Sequence, residues 1–186
     1  MRLRRGAVVG LALLLAVSAC SGRDTSTPVP TGAAAPFVCD GVPRRAAELI
    51  LGGDAAPKRQ YGQWGLKDGG FQCDVVRAGT NNGVVMVEEW DVGTLLGVSP
   101  EDALRQFATE AAAEPVSAST RGAGYVIGTA KSGSAKWVCG ERVLVVDLVS
   151  VGNEGRDQRA DAQALLVSML PWACGGQKVP ERRVGK

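Results

Sequence analysis

Cysteine is the residue type that most constrains what this chain of 186 residues can fold into. Five cysteines are present, and their positions divide them into two groups. Cys20 comes directly after an apolar N-terminal run, whereas Cys39, Cys73, Cys139 and Cys174 are spread over the rest of the chain. Cysteines of exported domains usually pair as disulfides, whereas cytosolic cysteines usually stay reduced. The compartment therefore decides what these residues do.

The first 19 residues carry the pattern of a secretory signal peptide. Residues 1–5 read MRLRR, with three arginines and no acidic residue, and the apolar run GAVVGLALLLAV follows. A basic segment, a short apolar segment and an exit of small residues are the three parts of such a signal. The run is shorter than the roughly 20 residues that cross a bilayer. The sequence predicts export, with an uncleaved N-terminal anchor as the alternative.

The end of this signal resembles the lipobox of bacterial lipoproteins. Residues 15–20 read LAVSAC, so that small residues lead directly to Cys20. The resemblance implies that Cys20 is linked to diacylglycerol and becomes the first residue of the mature chain. Two or three acyl chains anchor a protein stably, whereas a single chain does not. We therefore expect the protein to be held by lipid on the outer face of the cytoplasmic membrane.

Composition divides the rest of the chain into three parts. Residues 20–36 contain three prolines and little apolar bulk, which predicts a disordered tether that follows the lipidated Cys20. Residues 37–175 have the length of one domain. Residues 176–186 are polar and basic, and we expect them to form a flexible tail.

The four cysteines of the domain are expected to form two disulfides, and three pairings are possible. Proximity along the chain favours Cys39–Cys73 and Cys139–Cys174. Each bond would close a loop of about 35 residues and stabilise the fold by roughly 3–4 kcal/mol. A metal site is disfavoured, because the spacings are far from those of zinc-binding cysteine pairs.

Hydrophobic periodicity predicts an α+β fold. A helix is predicted after Asp40, a second one starts at Ser99-Pro100, and the last ends near Pro171. Alternating runs such as FQCDVVR and VVMVEEW predict strands, and Asn82-Gly83 between them predicts a hairpin turn. We expect an antiparallel sheet of about five to six strands, stapled by the disulfides, with two to three helices packed on one face.

This order of features resembles that of small secreted lipoproteins of high-GC Gram-positive bacteria. A lipobox and a tether precede a cysteine that opens a helix closing with Leu-Gly-Gly, a second cysteine lies in a strand, and a cysteine pair comes late. The resemblance implies an extracytoplasmic α+β domain of the binding type. It carries no catalytic residues over to this chain.

Composition excludes several classes of function. Histidine is absent, which removes the Ser-His-Asp triad, the Cys-His pair and histidine ligation of metals. Without the three arginines of the signal, 18 basic residues face 19 acidic residues, and a net charge of −1 argues against nucleic acid as a partner. The sequence therefore assigns no catalytic residue, no metal ligand and no cofactor.

Carboxylates and tryptophans are the remaining candidates for a site. Glu88 and Glu89 point to opposite sides of a strand and cannot chelate one ion together. Asp147 lies in an apolar strand and would need a partner such as Arg142 or Arg121 if it were buried. Trp64 and Trp90 are the candidate ligand-binding residues, because exposed tryptophans can stack on sugars or form contact sites.

Two functions follow from these features. The first is a membrane-anchored binding domain, whose partner is a cell-wall component or an envelope protein and whose site lies on a sheet face or rim without helices. The alternative is a hydrolase that acts on envelope polymers through paired carboxylates. A cleft with two facing acids would favour the hydrolase.

Overall fold

The structure of the protein is a computed structural model, which describes residues 25–66, 69–80, 82–151 and 153–182. The predicted signal peptide and Cys20 lie outside these ranges, so the predictions of export and lipidation stay predictions. No helix within the described ranges is both long enough and apolar enough to span a membrane.

Within the described ranges, nine strands are arranged in two antiparallel sheets. The strands are β1 (Phe37–Cys39), β2 (Val42–Pro43), β3 (Ala55–Gly62), β4 (Phe71–Arg77), β5 (Val84–Asp91), β6 (Glu114–Pro115), β7 (Ala123–Thr129), β8 (Ser132–Cys139) and β9 (Arg142–Val149). Strands β1 and β2 form a small hairpin, and the other seven form one sheet in the order β3-β4-β5-β9-β8-β7-β6. In this sheet, β5 pairs with β9 over eight residues, and this pairing joins β3, β4 and β5 to the other four strands.

The described part of the chain also contains four helices: α1 (Arg44–Leu51), α2 (Val92–Leu96), α3 (Pro100–Thr109) and α4 (Gln158–Ala173). The start of α3 is set as predicted, because the side chain of Ser99 accepts a hydrogen bond from the backbone N–H of Asp102. Helix α4 continues past Pro171, where the sequence predicted its end, to Ala173.

Alternate residues of the sheet pack against different helices. On one side, which we call the α1–α4 face, residues such as Phe71, Val87 and Leu144 form the main core with α1 and α4. On the other side, the α3 face, Val138 and Val143 form a smaller core with α2 and α3. The α+β class with an antiparallel sheet is confirmed. The large sheet has seven strands in the described ranges, where five to six were predicted, and α2 and α3 lie on its second face, where no helix was predicted.

Both predicted disulfides are confirmed. Cys39–Cys73 joins β1 to β4, with its Cα atoms 6.4 Å apart. Cys139–Cys174 joins the end of β8 to the C-terminal cap of α4, with a Cα separation of 5.9 Å. The hairpin of β1 and β2 and the last helix are therefore both attached covalently to the large sheet.

The described part of the N-terminal segment packs onto the domain, although its composition predicted disorder. Val29 is buried in the main core. The carbonyl of Thr27 accepts a hydrogen bond of 2.9 Å from Nη1 of Arg156. Average composition missed this packing because one apolar side chain and one anchored carbonyl are enough to order a short segment.

The described part of the C-terminal tail also contacts the domain, although we expected it to be flexible. The backbone N–H of Gly41 donates to the carbonyl of Pro180 at 2.7 Å, and the N–H of Arg182 donates to Oδ1 of Asp40 at 2.7 Å. These bonds use backbone groups, which a polar composition does not reveal. The tail therefore lies along the β1–β2 hairpin.

Candidate functional site

Trp64 lies in the loop between β3 and β4, where most of its ring is in contact with other residues. Its indole stacks on the ring of Phe71 with centroids 4.4 Å apart and an interplanar angle of 24°. Its Nε1 donates to the carbonyl of Asp40 at 2.9 Å. Trp64 is half-buried and packs against the main core. These contacts give it a role in packing, beside the ligand-binding role that we predicted.

A buried ion pair holds the loop that carries Trp64. Glu89 is 1% exposed, and Nε of Arg142 donates to its Oε1 at 2.7 Å, while Nη2 of the same guanidinium donates to Oε2. The backbone N–H of Gly65 also donates to Oε2 at 2.9 Å, and Arg142 donates to the carbonyl of Leu66. We did not predict this pair. The alternation of β5 could have indicated that Glu89 is buried, because it places Glu89 on the same side of the strand as Val85 and Val87.

A groove of about 410 Å³ lies beside Trp64. Asp40 and Phe71 contribute to its walls, and so do Lys178 and Glu181 of the tail. A sugar ring could contact this mixture of aromatic and polar groups. The groove therefore keeps Trp64 as a candidate, although the best contact surface of the ring is already used by Phe71.

Trp90 lies on the α3 face, in the smaller core, so the sheet separates it from Trp64. Its ring centroid is 6.2 Å from that of Tyr61, which is 42% exposed. Its Nε1 is buried and has no hydrogen-bond partner among the described residues. A Cβ at Gly70 would come within 2.2 Å of the indole, so close packing requires glycine there. The two predicted tryptophans do not form one site.

Three carboxylates lie close together on the α3 face. Asp74 on β4 and Asp147 on β9 are the cross-strand partners of Met86 on β5, and Glu88 is two residues further along β5. Burial, followed by the charges of Asp147 and Asp74, raises the pKa of Glu88 above its ordinary value. We did not predict this group, because Asp147 comes from β9, which is distant in the chain from the hairpin of β4 and β5, and only the sheet brings it beside the other two acids.

The charges around this group are only partly balanced. Arg59, whose side chain is exposed, has its Nε 3.7 Å from Oδ2 of Asp74, and Nε2 of Gln72 donates to Oδ1 of the same carboxylate at 2.8 Å. Asp147 forms no ion pair within the described ranges, because Arg142 is on the other face with Glu89. The predicted pairing of Asp147 with an arginine is therefore not found.

Helices α2 and α3 leave part of the α3 face uncovered. We call this part the open half; it consists of Tyr61, Asp74, Val84, Met86, Glu88, Asp147 and Val149. Val149 is 48% exposed, and Val84 and Met86 are half-buried. The acids project side by side from neighbouring strands, and they do not face each other across a cleft.

The chemistry available at these sites is recognition by charge, hydrogen bonding and apolar contact. No group of three or more acidic or cysteine side chains in the described part of the chain is arranged to hold a metal ion. A hydrophobic patch beside uncompensated carboxylates favours contact with a basic, partly apolar surface. Comparisons of the chain with protein-family models, with curated proteins and with solved structures gave no match.

Proposed function

We propose that the protein is a lipoprotein, anchored through Cys20 on the outer face of the cytoplasmic membrane, whose domain binds a basic segment of an envelope protein. The observation that supports binding is the open half of the α3 face, where valine and methionine side chains surround three carboxylates without a covering helix. The LAVSAC motif supports the anchor.

A contact close to the start of the described residues supports a domain held close to the bilayer. Thr25 is the first described residue, and Thr27 already bonds to Arg156. Five residues of extended chain reach at most about 18 Å, which is the largest distance from Cys20 to Thr25. The two disulfides also agree with an oxidising, extracytoplasmic compartment.

Electrostatics favour a basic partner. The pKa of Glu88 is raised partly because Asp147 and Asp74 repel its charged form. A lysine or arginine placed between these carboxylates would remove that repulsion, and Met86 would contact the aliphatic part of its side chain. A protein segment that carries both basic and apolar residues therefore fits this surface better than a neutral polymer does.

A hydrolase that acts on envelope polymers is the second candidate. It is favoured by the same group of acids, since a carboxyl with a raised pKa, such as Glu88, suits a proton donor, and two further carboxylates lie beside it. Against it, the three side chains project in parallel from one sheet, whereas glycoside hydrolysis needs acids on both sides of the bond. Binding is therefore the better-supported function.

The anchor is tested with Cys20→Ala. We expect the variant to lose the acyl mass and to move from the detergent phase to the aqueous phase, because no lipid then holds it. Mapping of the two disulfides in the variant is the control for correct folding. Unchanged partitioning together with an unchanged mass would contradict lipidation.

The binding surface is tested by photo-crosslinking from position 149 in intact cells. The triple variant Asp74→Asn, Glu88→Gln, Asp147→Asn should lose the cross-linked product. The matched control, Asp54→Asn, Glu101→Gln, Glu141→Gln, removes the same number of acids from exposed positions outside the open half and should retain it.

Each result of these experiments decides between the candidates. A product that is unchanged in the triple variant, or that forms equally from position 105 on α3, would exclude the open half as the binding surface. Release of soluble fragments from isolated envelopes by the purified protein, abolished by Glu88→Gln, would favour the hydrolase.

A further inference from the structure

A separate cavity of about 570 Å³ lies between the β7–β8 turn and the loop that joins β9 to α4. Its volume falls within the roughly 300–1,000 Å³ that is typical of small-molecule sites. Ala130 and Lys131 line it from the turn, and Asn153, Arg156 and Gln158 line it from the loop and the start of α4. It is formed by elements other than those of the open half and the Trp64 groove.

Two buried amide side chains in the wall have acceptor atoms to which no described residue donates. Asn153 is 2% exposed and Gln158 is 8% exposed. Their nitrogens are used, because Nδ2 of Asn153 donates to the carbonyl of Leu49 at 3.0 Å and Nε2 of Gln158 donates to that of Val151 at 2.7 Å. These bonds determine the orientation of both amides.

The opposite atoms of the two amides, Oδ1 of Asn153 and Oε1 of Gln158, have no partner among the described residues. Leaving a buried acceptor without a donor costs about 1–3 kcal/mol. Both oxygens are buried in the wall, and a small movement of their side chains would let a molecule in the cavity donate hydrogen bonds to them and remove this cost. Hydroxyl groups suit this purpose, since each carries one donor and can also accept.

The charges of the cavity wall cancel. Arg156 is bonded to Asp161 by two hydrogen bonds of 2.7 Å, from Nε to Oδ2 and from Nη2 to Oδ1. At the rim, exposed Lys131 and Glu154 carry opposite charges. A charged ligand would therefore gain little from the wall, which favours a neutral one.

We propose that this cavity binds a small neutral polyhydroxyl ligand, namely a sugar, through Asn153 and Gln158. Free sugar and the headgroup of a glycolipid share this chemistry. The rim lies next to the N-terminal segment, because a Cβ at Gly155 would be 3.5 Å from Oγ1 of Thr25. If Cys20 is lipidated, as in the proposed function, the cavity is close enough to the bilayer to reach a headgroup.

The test uses the full chain with Cys20→Ala, so that the outcome does not depend on acylation. Maltose is titrated into the protein, and the side-chain amide resonances of Asn153 and Gln158 are followed by NMR. Gln158→Leu removes one acceptor, and Ala130→Trp fills the mouth without removing a hydrogen bond. Ala108→Trp, on the exposed surface of α3, is the matched control.

We expect saturable shifts in the parent protein and the control, and at least tenfold weaker binding in Gln158→Leu and Ala130→Trp. The melting temperature should stay unchanged in Ala130→Trp, whereas Gln158→Leu should lower it, because the hydrogen bond to the carbonyl of Val151 is lost. Absence of saturable shifts up to the solubility of maltose would overturn the proposal. Binding that Ala130→Trp leaves unaltered would also overturn it, because the sugar would then bind elsewhere.

A second arm distinguishes the two sources of the ligand. The same protein is sedimented with phosphatidylglycerol vesicles that contain or lack a glucosyl diacylglycerol. Greater retention by the glycolipid vesicles, lost in Ala130→Trp, identifies a headgroup ligand. Equal retention by both kinds of vesicle, together with maltose binding, identifies a free sugar.

Discussion

Two neighbouring acids of β5 have opposite environments, because they lie on different faces of the large sheet. Glu89 lies on the α1–α4 face, where it is buried and its carboxylate is bonded to Arg142 and to the backbone of Gly65. Glu88 lies on the α3 face, half-buried beside two further carboxylates and raised in pKa. Glu89 therefore stabilises the fold, and Glu88 is available to a partner.

The same contrast extends to the apolar residues of the two faces. Helices α1 and α4 cover the α1–α4 face, and the main core includes both disulfide-linked cysteines of the sheet, Cys73 and Cys139. Among the described helices, α2 and α3 cover the α3 face, and both are shorter than α4. A sheet with apolar residues on both sides, of which one side is half covered, has surface left for binding.

The largest effect on stability is expected when Glu89 loses its partner Arg142. Arg142→Met should lower the free energy of unfolding by about 3–5 kcal/mol, because Glu89 would remain buried and unpaired. The matched control is Arg59→Met, which removes an exposed guanidinium 3.7 Å from Asp74 and should cost less than about 0.5 kcal/mol. Urea unfolding measures both. Similar losses would remove the distinction between the faces.

A smaller difference is expected between apolar residues of the two faces. Leu166→Ala in α4 should cost about 3 kcal/mol, because it leaves a cavity in the main core. Met86→Ala in the open half should cost about 1 kcal/mol or less, because the side chain is only half-buried. A loss of several kcal/mol for Met86→Ala in thermal unfolding would show that the open half is covered.

The two tryptophans sharpen the comparison further. Trp64→Phe should lower stability by about 1 kcal/mol, because the hydrogen bond from Nε1 to the carbonyl of Asp40 is lost. Trp90→Phe should change stability less, because it removes a buried N–H that has no partner among the described residues. Equal losses in denaturant titrations would contradict this assignment, while the ligand-binding roles of both residues stay predictions.

The smallest effect is a pH dependence that differs in sign between Glu88 and Asp102. Because the pKa of Glu88 is raised by burial, the folded state holds a proton that the unfolded state releases, so stability falls as pH rises through the raised pKa. Glu88→Gln should therefore stabilise the protein at neutral pH, by less than about 1 kcal/mol because solvent screens a half-exposed carboxylate.

Asp102 provides the control of opposite sign. The hydrogen bond from Ser99, and then the charge of Arg105, lower its pKa, so its contribution is present at neutral pH and is lost as pH falls through the lowered pKa. Asp102→Asn should therefore destabilise the protein at neutral pH. The free energy of unfolding is measured across pH for the parent protein and for both variants. A change of the same sign at neutral pH in Glu88→Gln and Asp102→Asn would contradict these assignments.

Local patterns predicted the parts of this protein that depend on neighbours in sequence. The cap at Ser99, the alternation of β4 and β5, and the placement of Glu88 and Glu89 on opposite sides all follow from residues a few positions apart. Chain proximity likewise predicted both disulfides, because closing a short loop costs less conformational entropy than closing a long one. The bounds of the edge strand β3 do not follow from a local pattern, because most of its residues are exposed and show no alternation.

Residues far apart in the chain were brought together only by tertiary structure. The pairing of β5 with β9 decides that Arg142 reaches Glu89, 53 residues away, and that Asp147 lies beside Glu88. It also selects which half of the α3 face stays open. Alternation tells which side of a strand a residue occupies, whereas the register between distant strands follows from the burial of the whole core. By itself, therefore, the sequence determined the faces of single strands, and only the folded sheet decided which residues share them.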